Sequence, residues 1–215
     1  MAASGLILFF FVIGHLLGNL QMFLGPDKIN TYSQFLKNLG ELLWVARITL
    51  LAAVAIHIVT AVSLTLENRA ARPVAYANKK YVKASYASRT MAVSGTIVLA
   101  FIIYHLLQFT LMVTHPGYQH LVDAKGRHDV YSMVVMGFSN PVISAWYILS
   151  VFLLCAHLSH GIYSALQSLG FHTETSRAWV SLWGSRFAWL LFIGYASIPL
   201  SVLLGIIKPI SGGLP

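Results

Sequence analysis

The stretch Ser4-Gly5-Leu6-Ile7-Leu8-Phe9-Phe10-Phe11-Val12-Ile13-Gly14-His15-Leu16-Leu17 returns without a gap as Ser94-Gly95-Thr96-Ile97-Val98-Leu99-Ala100-Phe101-Ile102-Ile103-Tyr104-His105-Leu106-Leu107. Eight of the fourteen positions are identical, and in both copies the histidine stands eleven residues after the serine. Each copy lies in a longer apolar run, so each reads as a membrane-crossing helix presenting one imidazole at the same depth. Two further apolar runs carry a histidine near mid-membrane depth, His57 and His157, and a fifth carries none.

Composition points the same way. The chain has 215 residues, 57% of them hydrophobic and 9% charged, with a mean hydropathy of +0.73. A soluble domain would carry about a quarter charged residues. Crossing the hydrocarbon core takes about 20 apolar residues, and five segments qualify: about 4–24, 44–66, 90–114, 142–169 and 187–207. The expected fold class is therefore all-α, an integral membrane bundle of five transmembrane helices forming a single transmembrane domain over 1–215. The remainder reads as short loops, too small for a catalytic domain in water, so any substrate chemistry in water belongs to a partner.

The net charge of +8 is not a nucleic-acid signature. Arg69, Arg72, Lys79, Lys80, Lys83 and Arg89 crowd into the loop between the second and third spans, as the positive-inside rule expects of a cytoplasmic loop. That places the N-terminus in the cytoplasm and the C-terminus outside. Cys155 lies within the fourth span, so there is no disulfide framework. The first apolar run is too long, and lacks the basic lead, for a cleavable signal peptide.

Depth follows from a rise of about 1.5 Å per residue. His15 and His105 fall nearer the outer face, His57 and His157 nearer the inner one. The expectation is two level pairs, His15 with His105 and His57 with His157, one above the other. Two imidazoles from facing helices are an axial set for a low-spin haem, and bundle cores are where such sites are built. A wide, flat macrocycle needs small neighbours; Gly14 and Gly18 flank His15, while Ala61 and Gly161 follow His57 and His157 by four. One membrane histidine alone would read as a packing residue bonded to a neighbouring helix. Four at paired depths read as ligands of two stacked haems, because unpaired ionisable groups are rare there. His160 competes with His157 from three residues along; the small-residue spacing favours His157 and leaves His160 to packing or a propionate contact.

The strings Gly14-His15-Leu16-Leu17-Gly18-Asn19-Leu20, Asn68-Arg69-Ala70-Ala71-Arg72-Pro73, Ala87-Ser88-Arg89-Thr90, His157-Leu158-Ser159-His160-Gly161 and Ser164-Ala165-Leu166-Gln167-Ser168-Leu169-Gly170 carry a resemblance over all five spans. They resemble the cytochrome b membrane-anchor subunit of bacterial succinate dehydrogenases and fumarate reductases, in its single-chain, five-helix, di-haem form. The resemblance implies two haem b groups ligated by His15 with His105 and by His57 with His157. It implies a flavoprotein subunit and an iron–sulfur subunit docked on the cytoplasmic face of the bacterial inner membrane. Electrons would pass through the haems to a membrane quinone, menaquinone being the usual partner of this form. The chain would then be the membrane subunit of a succinate dehydrogenase (quinone) complex with no succinate-oxidising site of its own, since nothing in it resembles a flavin site.

Further residues take expected roles on that basis. The basic loop 67–89 and the turn 171–186 would form much of the docking surface. Arg89, with Ser88 or Ser94, could contact a haem propionate or a quinone oxygen, and an arginine there could equally snorkel to a lipid phosphate. Gln108, one turn beyond His105, could face a quinone or brace a helix contact. Glu41 is the acid nearest an outer quinone site, though acids also favour helix N-termini. In some fumarate reductases an acid two positions before the helix-four histidine carries protons; Cys155 stands there in this chain, so that route does not carry over. His115, His120 and His128, with Asp123 and Asp129, fit no standard metal-ligand spacing and read as a solvated loop. Two rivals remain, a cytochrome b anchor for a hydrogenase or formate dehydrogenase and a haem-free transporter with histidines along a polar pathway. The family strings argue against the first and the level pairing against the second.

Overall fold

The computed structural model describes residues 1–71, 86–171, 173 and 177–209. Lipid offers the backbone no hydrogen bonds, so long apolar runs must satisfy their own N–H and C=O groups as helices. In chain order the helices are α1 (Ala2–Asn19), α2 (Pro26–Asn38), α3 (Glu41–Ala70), a single turn α4 (Tyr86–Arg89), α5 (Met91–His105), α6 (Val130–Phe138), α7 (Pro141–Ser168) and α8 (Arg177–Leu203). A 3₁₀ turn, Leu20–Leu24, prolongs α1, and a π turn, Leu106–Thr110, prolongs α5. Five of these segments are long and apolar enough to cross a membrane. They make an all-α membrane bundle, with no strand among the described residues beyond one isolated bridge, Val122 to His128.

The last span begins at Arg177, ten residues before the stretch 187–207 read from hydropathy. Arg186 lies inside the helix rather than ahead of it. Its guanidinium sits 5.1 Å from the centre of the Trp183 ring, which in turn lies 5.7 Å from Trp179. An aromatic belt with a cation over it lets a helix run on through the interface. Arg47 does the same over Trp44, at 5.1 Å, in the first turns of α3.

Helix α7 is the centre of the bundle, packed along α8, α5 and α1, while α3 leans on α1. Leu16, Phe101, Tyr147, Val151, Cys155, Leu191 and Ile198 form one buried cluster between them. Close approach is built in at Gly194, where a Cβ would lie 2.8 Å from Leu16 Cδ2. Ala53 is the single buried residue of α3, and Leu51, Ile48 and Val59 on that helix are exposed, as suits a lipid-facing span.

The segments between spans are not merely short loops. At the end of the bundle away from Met1, α2 and α6 fold over the helix ends as a cap. Its centre is polar and buried: Asn30 and Asp129 are 1% and 6% exposed. Asp129 starts α6, with Oδ1 accepting from the Ser132 amide at 3.0 Å and Oδ2 from the Ser132 hydroxyl at 2.6 Å. Asn30 Nδ2 donates to Asp129 at 3.0 Å and to Asp123 at 3.2 Å, and Asn30 Oδ1 accepts from the Tyr131 amide at 3.0 Å. Arg127 ties the outer layer, donating to Asp123, Asp27 and Thr31. The acids expected in a solvated loop are therefore the bolts of a folded cap, because Asn30, nearly a hundred residues away, meets both of them.

Two consequences can be measured. Asp129→Ala removes a helix cap and leaves the Asn30 amide only its longer contact to Asp123, at a cost of about 1–3 kcal/mol; thermal unfolding in detergent should show a clearly lower midpoint. At Asp123 burial pushes the carboxyl up. The Arg127 side chain, the Arg127 and Lys125 amides and Asn30 outweigh it and hold the group well below the usual carboxylate range. A depressed carboxylate stabilises fully above its unfolded value of about 3.9 and loses that contribution as pH falls below it. Asp123→Asn should therefore flatten the fall in unfolding midpoint between about pH 4 and pH 2.

Candidate functional site

The four mid-membrane histidines come together in two facing pairs. The His15 ring on α1 and the His105 ring on α5 have centroids 5.7 Å apart at 86°. The His57 ring on α3 and the His157 ring on α7 are 6.4 Å apart at 63°. All four rings are half-buried. The pairs lie at two levels, separated by roughly the eleven residues between serine and histidine in the repeat, about 16 Å along the helix axis.

The repeat serves both levels. Its two histidines form one pair, and its two Ser-Gly dipeptides seat the other. Ser4 Oγ is 3.4 Å from His57 Nδ1, and Ser94 Oγ is 3.2 Å from His157 Nδ1. A Cβ on Gly5 would lie 3.3 Å from His57 Cε1, and one on Gly95 would lie 3.5 Å from His157 Cε1. Both serines are buried. Ser4, Gly5 and Gly95 were not singled out from the sequence, although their identity across the two copies was the available signal.

The other level is built differently. Past His105 the helix widens into the π turn, marked by the Leu111 amide donating to Leu106 O at 2.7 Å. Gln108 is fully buried there, and its Oε1 accepts from the Tyr147 hydroxyl at 2.9 Å. Tyr147 Oη is also 3.4 Å from His105 Nδ1. Its ring packs edge-on against Phe101, Phe109 and Phe138. Of the two readings of Gln108, the helix brace is the contact formed. His15 is held by stacking on Phe11, with centroids 5.2 Å apart at 22°.

The remaining candidates fall around this frame. His160 is half-buried one turn from His157, and His157 is the ring that faces His57. Arg89, in α4 just before α5, lies 5.6 Å from the Tyr86 ring centre. Glu41 is exposed in the first turn of α3, where a negative charge complements the helix dipole. Gly18 makes room not beside His15 but for α2: a Cβ there would lie 2.7 Å from Tyr32 Cε1. A Cβ on Gly14 or Gly161 would meet nothing within 4 Å. His115 stacks on Tyr118 and His128 Nδ1 lies 3.1 Å from Leu121 O, so the loop histidines go separate ways. Among the described residues no three His, Cys, Asp or Glu side chains come together to hold a metal ion. Arg72, Lys79, Lys80 and Lys83 of the basic loop, and part of the turn 171–186, lie outside the described residues.

No curated protein and no solved structure matches the chain. One family does, described as the succinate dehydrogenase/fumarate reductase transmembrane subunit, over residues 65–192. The matched segment is more than half of the chain and runs from the end of α3 into α8. It contains His105 and His157, each facing a histidine N-terminal to the match. With its five apolar spans and this match, the chain belongs to the succinate dehydrogenase/fumarate reductase transmembrane subunit family, the multi-pass membrane anchors of those complexes.

Proposed function

We propose that this anchor subunit carries two b-type haems, one between His15 and His105 and one between His57 and His157, on an electron path between an iron–sulfur subunit and a membrane quinone. The observation that carries the reading is the facing of imidazoles at two levels, at 5.7 and 6.4 Å between ring centres. Two metal–nitrogen bonds of about 2 Å, plus about 1.1 Å from each ring nitrogen to its centroid, separate two imidazoles on one iron by about 6.2 Å. One pair meets that spacing and the other needs about half an ångström of opening. A bare zinc-like ion would ask for three or four protein donors. Two imidazoles with no third metal-ligating side chain beside them among the described residues suit a metal that brings its own further ligands. Open space beside Gly14 and Gly161, next to a ligand on each level, supports the same reading.

Bound haem supplies a one-electron iron couple. The chain does the rest. His15 with His105 and His57 with His157 would hold the two haems through their imidazole nitrogens, and facing helices fix the distance between the two levels. The cap of α2 and α6 closes one end of the bundle with buried polar contacts. Cys155, fully buried on α7 two residues before His157, is a poor proton carrier, so proton movement along α7 is not part of the proposal. The N-terminus lies on the cytoplasmic side, where the basic loop and the start of α8 with its Trp179, Trp183 and Arg186 receive the iron–sulfur and flavoprotein subunits. Succinate chemistry belongs to those partners, and menaquinone is the proposed quinone.

A dithionite-reduced minus oxidised spectrum of protein purified from membranes, with haem quantified per chain, should give two b-type haems. His15→Ala, His57→Ala, His105→Ala and His157→Ala should each lower the count from two to one, while His160→Ala keeps both. A folded, haem-supplied preparation without haem would overturn the proposal in favour of histidines lining a polar pathway.

A further inference from the structure

Three of the four facing imidazoles touch a hydroxyl through Nδ1, and each of those hydroxyls has already committed its one proton elsewhere. Ser4 Oγ donates to Met1 O at 2.8 Å, and Ser94 Oγ donates to Met91 O at 3.2 Å, three residues back in both copies of the repeat. Tyr147 Oη donates to Gln108 Oε1 at 2.9 Å. A hydroxyl has one proton and two lone pairs. With the proton spent on a carbonyl oxygen, what faces the imidazole is a lone pair, so the ring nitrogen at 3.2–3.4 Å must be the one that carries hydrogen. Nδ1–H then donates to oxygen and Nε2 keeps its lone pair.

We infer that Ser4, Ser94 and Tyr147 are positioning residues that hold His57, His157 and His105 in the Nδ1–H tautomer, aiming Nε2 at the iron and setting its reduction potential. The inference rests on the haem ligation proposed above. The partners of a ligating histidine's second nitrogen fix its orientation and raise its basicity. A more basic imidazole favours the ferric state, so the contact lowers the midpoint potential of the iron it serves. The arrangement is unequal. Both ligands of the His57/His157 level have a serine, whereas on the other level His105 has Tyr147 and His15 has ring stacking on Phe11. The two levels are thereby separately tuned by different side chains, although the histidines themselves are alike.

The test is redox titration of the full chain, purified from membranes with the subunits that accompany it, alongside haem quantification and low-temperature EPR of the ferric state. Ser4→Ala and Ser94→Ala should each raise the midpoint of the same one of the two haems. The expected change is between threefold and tenfold in its oxidised-to-reduced ratio at fixed potential, tenfold being about 59 mV for one electron. Tyr147→Phe should raise the other midpoint instead. Ser94→Thr, which keeps the hydroxyl, should stay near the wild-type value and EPR signature. Loss of one haem alone in a serine variant, with the other at its normal potential, counts in favour. Wild type with two haems, and serine variants with both midpoints unchanged, would overturn the positioning role while leaving the ligation reading intact. So would a Ser94→Thr shift as large as that of Ser94→Ala, which would mark packing rather than the hydroxyl. Wild type without haem would overturn both.

Discussion

An imidazole at mid-membrane depth has no water to bond, and the organisation of the bundle follows from that constraint. Each of the four rings must find a partner from a neighbouring helix. The His15 ring on α1 therefore meets the His105 ring on α5, and the His57 ring on α3 meets the His157 ring on α7, across helices that pack as α1 with α3 and α5 with α7. The Ser-Gly dipeptides at the start of α1 and α5 complete the arrangement, because a serine can satisfy a ring nitrogen and a glycine lets the ring come within van der Waals contact of the backbone. The gapless repeat thus encodes two levels at once. Its serine and histidine are three turns apart on one helix, so each copy supports one pair and contributes to the other.

A bundle held this way needs its ends fixed, since helices that slide along their axes would part the rings. The cap does this with chemistry that lipid-facing spans cannot use. Asn30, Asp123, Asp129 and Arg127 tie α2 to the start of α6, and the Tyr131 hydroxyl donates to Lys208 O beyond the end of α8. The cap sits at the end nearer His15 and His105. Tyr147, on the cap side of α7, carries its rigidity to His105 through Phe138 and Gln108. Membership of the transmembrane subunit family gives this rigidity a purpose, since an anchor must keep a fixed geometry while its partner subunits work in water.

The placement of the four histidines is legible in the sequence. Histidine spacing within apolar runs placed four rings at two depths, and the pairing of helices followed from depth alone. Gly18 was misread because spacing along a helix does not tell which neighbour fills the space; Tyr32 of α2 does. The cap residues were misread as solvated because Asn30 and Asp129 are far apart in the chain and carry no periodicity. Gln108 was left with two roles because its orientation depends on a π turn, which no propensity announces.

The amino-acid sequence by itself determined the class of protein, the number of spans and the level of each histidine, because hydrophobic length and the rise of a helix are local properties that one chain segment carries alone. The tertiary structure decided which hydroxyl meets which ring and how the loops close the bundle. Those contacts join residues from different helices, and their distances are set by packing, to which every element contributes.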